Sequence, residues 1–350
     1  MHMADALLSP AVAAAMYAAT AGTIGVSTAK LKKDDEADKL PTMAVTAALV
    51  FAGQMINYTI PGTGSSGHMC GGMLLSALLG PWAGFLSMAV ILTIQCLIFA
   101  DGGLLALGAN IWNMAFYGCF VGYFLIWKPI MQSSLFGSDS AAQRRRIIAS
   151  SVIGCIVTLQ PGAFSVVSET SLSGITELPF GAFVSLMQPI HLAIGLIEGL
   201  RPAAVLVFVY SSRPELIMDV NTGISGTEGK RSLKTTLIIL AVVVLAVGGG
   251  LSLLASSNPD GLEWALFGNA EEGYSENMGL DEESYGVSST AADTASQIQE
   301  NTSVLPDYAF SGSDSPVGTS VSGIVGSALV AGVAVLVCVI GGFFRKKKRA

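Results

Sequence analysis

Charge is what this 350-residue sequence has least of. Only 12% of its residues are charged, about half of the roughly 25% usual in soluble domains. Hydrophobic residues make up 51%, and the mean hydropathy is +0.61. This balance excludes an ordinary soluble enzyme, a disordered chain and a basic nucleic-acid binder. Basic residues are missing altogether from 256–320, which hold 12 of the 25 acidic residues and none of the 18 Lys and Arg. The other 13 acidic and 18 basic residues leave the rest of the chain at +5, so the two regions face different surroundings.

Catalytic signatures are absent too. No P-loop, HExxH, GxSxG or acid-terminated GxGxxG occurs; Gly226 to Ser232 fails the P-loop in spacing and in the residue after Lys230. Histidine is limited to His2, His68 and His191. A nucleotide hydrolase, protease or lipase is not expected, and none of the cytoplasmic loops is long enough for a nucleotide-binding domain. The five cysteines (Cys70, Cys96, Cys119, Cys155, Cys338) form no CxxC pair and lie in or beside apolar runs. They read as buried apolar side chains rather than a disulfide framework or thiolate zinc site.

What is present is a series of apolar runs near the length of a membrane span. Nine are expected, at about 10–29, 41–57, 70–80, 82–100, 109–127, 147–165, 180–210, 235–255 and 321–344. The third is short, cut from the fourth by Gly80-Pro81. The first is not expected to be a signal peptide, because Met1 to Pro10 has no Lys or Arg and the run leads into further spans. The fold class expected is all-α, a polytopic membrane helix bundle.

Basic residues orient it. Lys30, Lys32, Lys33 and Lys39 follow span one, Lys128 and Arg144–Arg146 span five, Arg213, Lys230, Arg231 and Lys234 span seven, and Arg345–Arg349 span nine. With nine spans all fall on one side, which puts the C-terminus in the cytoplasm and the N-terminus, 58–69, 101–108, 166–179 and the acidic loop 256–320 outside. That loop reads as a flexible, solvated spacer, or alternatively as an acidic stretch that concentrates divalent cations near the mouth. Arg201 lies within span seven, three residues after Glu198, where an i,i+3 pair would neutralise both.

The start, Met1-His2-Met3, carries a chelate geometry. The Met1 amine, the deprotonated His2 amide nitrogen and the His2 imidazole close a five- and a six-membered ring on one metal. That leaves one corner of a square, suited to Ni(II) or Cu(II). The alternative is an exposed His at a frayed terminus. His68, the other outward-facing His, is the natural fourth ligand; alternatively it makes a local hydrogen bond at a helix start. Ser66, in the same loop, is a candidate for a supporting hydrogen bond. Asp5, Asp101, Asn110 and Asn113 are candidates for supporting hydrogen bonds; the last three otherwise read as helix caps. His191, in span seven, reads as a buried structural residue or a functional intramembrane group. Small residues on two faces of span one (Ala11, Ala15, Ala19; Ala14, Ala18, Gly22) either dock a membrane partner or pack within the chain.

Several separated motifs then carry a resemblance. Gly67-His68-Met69-Cys70-Gly71-Gly72 through Leu79-Gly80-Pro81-Trp82-Ala83, Gln95 to Gly103, Leu107 to Met114 and His191 to Gly199 occur in order. Over about 1–215 they resemble CbiM/NikM, the substrate-capture membrane component of cobalt and nickel energy-coupling-factor transporters. Pro259-Asp260-Gly261-Leu262-Glu263-Trp264 and Pro306-Asp307-Tyr308 resemble the small NikN-like PDGLE subunit, often fused in this family.

The resemblance implies a metal-capture domain (1–215), a cytoplasmic linker (216–234), an accessory module (235–344) with two spans around loop 256–320, and a basic tail (345–350). Seven spans plus two agree with the nine. It also implies metal ligation by Met1, His2 and His68, with Ni(II) or Co(II) as transported ligand rather than cofactor, and a link to cobalamin biosynthesis. The chain itself would be no enzyme. ATP hydrolysis would come from cytoplasmic ATPase subunits through a coupling membrane subunit, in a prokaryotic plasma membrane. Where the family often begins Met-His-Ile-Pro-Asp-Gly, this chain has Met1-His2-Met3-Ala4-Asp5-Ala6, keeping the ligands but losing Pro and Gly from the turn. The alternative function is a self-sufficient secondary transporter or channel for divalent cations, which needs charges along an intramembrane path.

Overall fold

Proline and glycine set the helix boundaries. A computed structural model describes residues 1–31, 40–137, 139–175, 177–220, 231–281, 285–313 and 315–346. Lys32, Lys33, Lys39, Lys230, most of the expected linker and tail residues 347–350 lie outside them. Helices α1 (Pro10–Leu31) and α2 (Leu40–Gln54) lead to a hairpin of β1 (Tyr58–Ile60) and β2 (Ser65–Gly67). Its antiparallel register pairs Tyr58 with Gly67 and Ile60 with Ser65. Then come α3 (Gly72–Leu79) and α4 (Pro81–Phe99). Gly80, at φ +80°, breaks the path between them, and Pro81 starts α4 at a position where its missing N–H costs nothing. Helices α5 (Leu107–Gln132), α6 (Ser140–Leu172) and α7 (Phe180–Ser212) complete the first part.

The second part has α8 (Leu233–Gly249), α9 (Gly261–Phe267), α10 (Thr290–Thr302) and α11 (Pro316–Lys346). Helices α6 and α7 pair along their length, while α8 and α11 pack on α2. Among the described residues, six helices are long and apolar enough to cross a membrane. Of the other expected spans, α2 and α8 are shorter, with 15 and 17 residues, and α3 has only eight. Ile153, Val157 and Phe164 on α6 and Leu192, Leu196 and Leu200 on α7 are exposed, as the outer face of an integral membrane protein requires.

Three expectations are corrected. The acidic loop is a folded cover, not a spacer. Asp260 caps α9 in a capping box with Glu263, Ser289 caps α10, and Leu262, Leu266 and Leu305 are buried. Glu198 does not form an ion pair with Arg201. The guanidinium instead donates to the carbonyls of Gly53 and Ile56 and lies 4.4 Å from the centre of the Tyr58 ring. Carbonyls freed at the end of α2 and an aromatic face satisfy it better than a carboxylate already engaged elsewhere. Finally, the small-residue faces of α1 pack little within the chain: Ala11, Ala14, Ala15, Ala18 and Gly22 are exposed and Ala19 half-buried, while Ala13, Thr20 and Ser27 are the buried positions.

The ends of the bundle differ in charge. Lys30 lies over Trp82, near the start of α4, and Arg231 over Phe208 near the end of α7. The far end of α4 meets the acidic cover, with Leu305 donating to the carbonyl of Ile98.

Candidate metal-capture site

The N-terminal segment folds back into the acidic end of the bundle. Met1, Met3, Leu7 and Leu8 are buried, so it is apolar anchoring that draws the terminus inward. Asn110 then fixes the register: its Oδ1 accepts from Met3 N at 2.7 Å and its Nδ2 donates to Met3 O at 3.1 Å. Gly103 N also donates to Met3 O. A short 3-10 turn at Asp5–Leu7 replaces the Pro- and Gly-containing turn. The Asp5 Oδ1 accepts from Ala106 N, and a side chain at Gly103 would collide with that carboxylate.

This places the amine and both imidazoles together. The Met1 nitrogen is 3.4 Å from His68 Nε2. Neighbouring nitrogens on one metal, with bonds of about 2.0 Å, lie about 2.8 Å apart, so a small adjustment brings them into one coordination plane. The His2 and His68 rings stack with centroids 5.2 Å apart and 24° between planes. His2 is largely buried rather than frayed, and its Nε2 is buried with no hydrogen-bond partner. His68 also makes the local contact expected of a helix-start His, Nδ1 to the carbonyl of Met69 at 3.4 Å. Among the described residues no three His, Cys, Asp or Glu form a metal-holding cluster. The further nitrogen nearest the imidazoles is the Met1 amine.

The supporting candidates divide. Asp101 Oδ1 is 3.1 Å from His2 Nδ1, and its Oδ2 accepts from the Tyr308 hydroxyl. Asn113 donates to Glu169 Oε2 and to Met3 Sδ. None of Asp101, Asn110 and Asn113 caps a helix: α4 ends on Ala100 in a left-handed conformation, and Asn110 and Asn113 lie within α5. Asp5 supports only backbone. Ser66 works on the cover instead, donating from N to Pro259 O and from Oγ to Asn258 O.

That contact presents a residue not singled out as part of the site, Asp260. Its Oδ1 is used by the capping box, accepting from Leu262 N and Glu263 N. Its Oδ2 is 2.6 Å from the Met1 amine and 3.8 Å from His68 Nε2. The Asp-x-x-Glu pattern after Pro259 was a sequence signal for an ordered helix start here. Glu198 was also missed: its Oε1 accepts from Cys70 N at 3.0 Å and Gly71 N at 3.2 Å, holding the turn just after His68. His191 donates from Nδ1 to the carbonyl of Met187 at 2.8 Å, the structural reading.

Electrostatics favour neutral imidazoles beside a charged amine. Burial, aided by the nearby ammonium, pushes His68 down to about 3, and burial lowers His2. Burial alone would lower the amine, but the Asp260 carboxylate outweighs it and the net shift is upward from 8.0. Burial likewise opposes ionisation of Asp260, and the amine's charge reverses that. Above the site a cavity of about 1010 Å³ is lined by His2, His68, Asp101, Asp260, Glu263 and Asp307, among others.

The fold and this site define a polytopic helical membrane protein whose buried N-terminus sits under a cover supplied by its own C-terminal module. Residues 2–216 match the model of CbiM, the cobalt uptake substrate-specific transmembrane region, and residues 234–341 match the PDGLE domain. The chain belongs to the CbiM family of nickel and cobalt transport proteins, here fused to a PDGLE module. It is 32% identical to the fused nickel transport protein NikMN of Rhodobacter capsulatus, across 94% of this chain and 95% of that one. It is 29% identical to the cobalt transport protein CbiM of Sorangium cellulosum, across 62% of this chain and 94% of that one. The crystal structure of a truncated transition metal transporter superimposes with a TM-score of 0.51 at 32% identity, covering 60% of this chain and 98% of that one.

Proposed function

We propose that this chain captures Ni(II) or Co(II) outside a prokaryotic plasma membrane, as the metal-binding membrane component of an ATP-driven energy-coupling-factor transporter. Residues 1–215 form the capture domain and 235–344 the accessory module, joined by 216–234. The Met1 amine, the His2 amide and imidazole nitrogens and the His68 imidazole hold the ion. The observation that carries this reading is the approach of the amine to His68 Nε2, with the His2 ring stacked alongside. Relatives named for nickel and for cobalt transport support both cargoes; planar nitrogen ligation favours nickel.

Charge explains the role of Asp260. Without metal, the ammonium presents one positive charge to this carboxylate. A divalent ion bound by a neutral amine, a deprotonated amide and neutral imidazoles again presents one positive charge, after release of about two protons. Asp260 therefore faces the same net charge in both states, and its own charge balances that of the ammonium or of the bound ion. ATP is hydrolysed by separate cytoplasmic subunits, and a coupling membrane subunit docks on the exposed small-residue faces of α1, where backbones can approach closely.

The test is Ni(II) titration of the purified chain with its native start and with one residue added before Met1. The extension converts the amine to an amide, and binding should be lost. Equal binding by the two proteins contradicts the reading. Uptake with and without the ATPase partners separates this from a secondary transporter, which works alone.

A further inference from the structure

Two small cavities continue inward from the capture nitrogens. The first is lined by Met1, His68, Cys70, Leu159 and His191, among others. The second lies between Cys70, Met73, Asn113, Thr158, Leu159 and Glu198 and holds about 10 Å³, roughly the volume one water molecule needs. The two share Cys70 and Leu159.

The deeper cavity carries unmet polar demand. Asn113 Oδ1 and Glu198 Oε2 are both buried and have no hydrogen-bond partner. Their sister atoms are committed, Asn113 Nδ2 to Glu169 and Glu198 Oε1 to the amides of Cys70 and Gly71. Neither side chain can therefore turn away to satisfy the free oxygen without breaking a bond it already makes. Buried acceptors left unpaired are costly, and intramembrane carboxylates mark ion pathways. The rest of the wall adds the Thr158 hydroxyl and the side chains of Cys70 and Met73, whose sulfurs suit late transition metals better than Mg(II) or Ca(II). His191 prepares the step between the cavities: donation from Nδ1 to Met187 leaves Nε2 as the ring's unprotonated nitrogen, the arrangement usual for a metal-ligating His.

We propose that the cavity between Cys70, Asn113 and Glu198 is a transit site that receives the late divalent transition-metal ion after it leaves the capture nitrogens. It rests on the capture reading, since it needs an ion delivered from Met1, His2 and His68. Its donors are mixed oxygen and sulfur, so it holds the ion more weakly than the nitrogens and lets it go.

Glu198→Gln tests it, because the amide oxygen still accepts from Cys70 and Gly71 while the anionic oxygen is lost. Ni(II) affinity of the purified full chain and Ni(II) accumulation by cells carrying the complete transporter are measured together. The expected result is affinity within about 2-fold of native and accumulation at saturating Ni(II) reduced at least about 10-fold. At excess Ni(II) the native chain should also bind a second, weaker equivalent that the variant lacks. Cys70→Ser, which exchanges sulfur for oxygen at nearly constant shape, should show the same split to a smaller degree. Unchanged accumulation in both variants overturns the transit site, and so does a parallel loss of affinity and accumulation, which would leave Glu198 no role beyond the support it gives the His68 turn. A native chain that binds no Ni(II) at all contradicts the capture reading itself.

Discussion

The two modules contribute opposite chemistry to one site. Residues 1–216 bring nitrogens: a buried amine and two imidazoles kept neutral by burial. The PDGLE module brings the Asp260 carboxylate, aimed by a capping box and by Ser66. The nitrogens would select a late transition metal without help. The carboxylate adds little selectivity, but it neutralises the charge that such a metal, or the ammonium it displaces, leaves in a buried place. In the proposed reading ligation and charge balance therefore sit on different modules, and the contrast can be broken from either side.

Breaking the nitrogen side has the largest effect. His68→Ala should weaken Ni(II) binding by more than about 100-fold, beyond the range of a lost outer partner, as read by equilibrium dialysis. Breaking the carboxylate side changes protons more than affinity. In Asp260→Asn, burial acts on the amine with only the weaker opposition of groups such as Glu263 and drives it toward the neutral form. Calorimetry in buffers of different ionisation enthalpy should then show proton release falling from about two to about one per metal.

The same logic gives pH dependence. Protons compete with metal at the amine, whose pKa is raised above 8.0. Capture should therefore strengthen as pH rises through neutrality toward that raised value, and in Asp260→Asn the rise should move to lower pH. His68, near 3, adds no titration in this range. The smallest effect is on the metal-free protein. The amine–Asp260 pair contributes stability fully below pH 8.0 and loses it as pH rises through the amine's raised pKa. Thermal unfolding in detergent should shift down slightly at alkaline pH in the native chain, and less in Asp260→Asn.

The approach of Met1, His2 and His68 could be anticipated from the sequence because a His in second position is local to the amine and few other His exist to join it. The helical membrane character was legible for the same reason, since hydropathy and Gly80-Pro81 act over a few residues. The carboxylate side was not. Asp260 sits 192 positions from His68 in a stretch whose acidity suggested a solvated spacer, and only tertiary contacts through Ser66 and Trp264 bring it over the site. Glu198 was assigned to Arg201 by helical spacing, a rule for neighbours on one helix. It misses a carboxylate that caps backbone amides from another segment.

X-ray absorption of the Ni(II)-loaded full chain tests the division of labour most directly. The account predicts a planar shell of nitrogens at about 2.0 Å that is unchanged in Asp260→Asn, because the carboxylate balances charge from outside the plane. An oxygen-rich octahedral shell, or a shell that loses a ligand in Asp260→Asn, would contradict it.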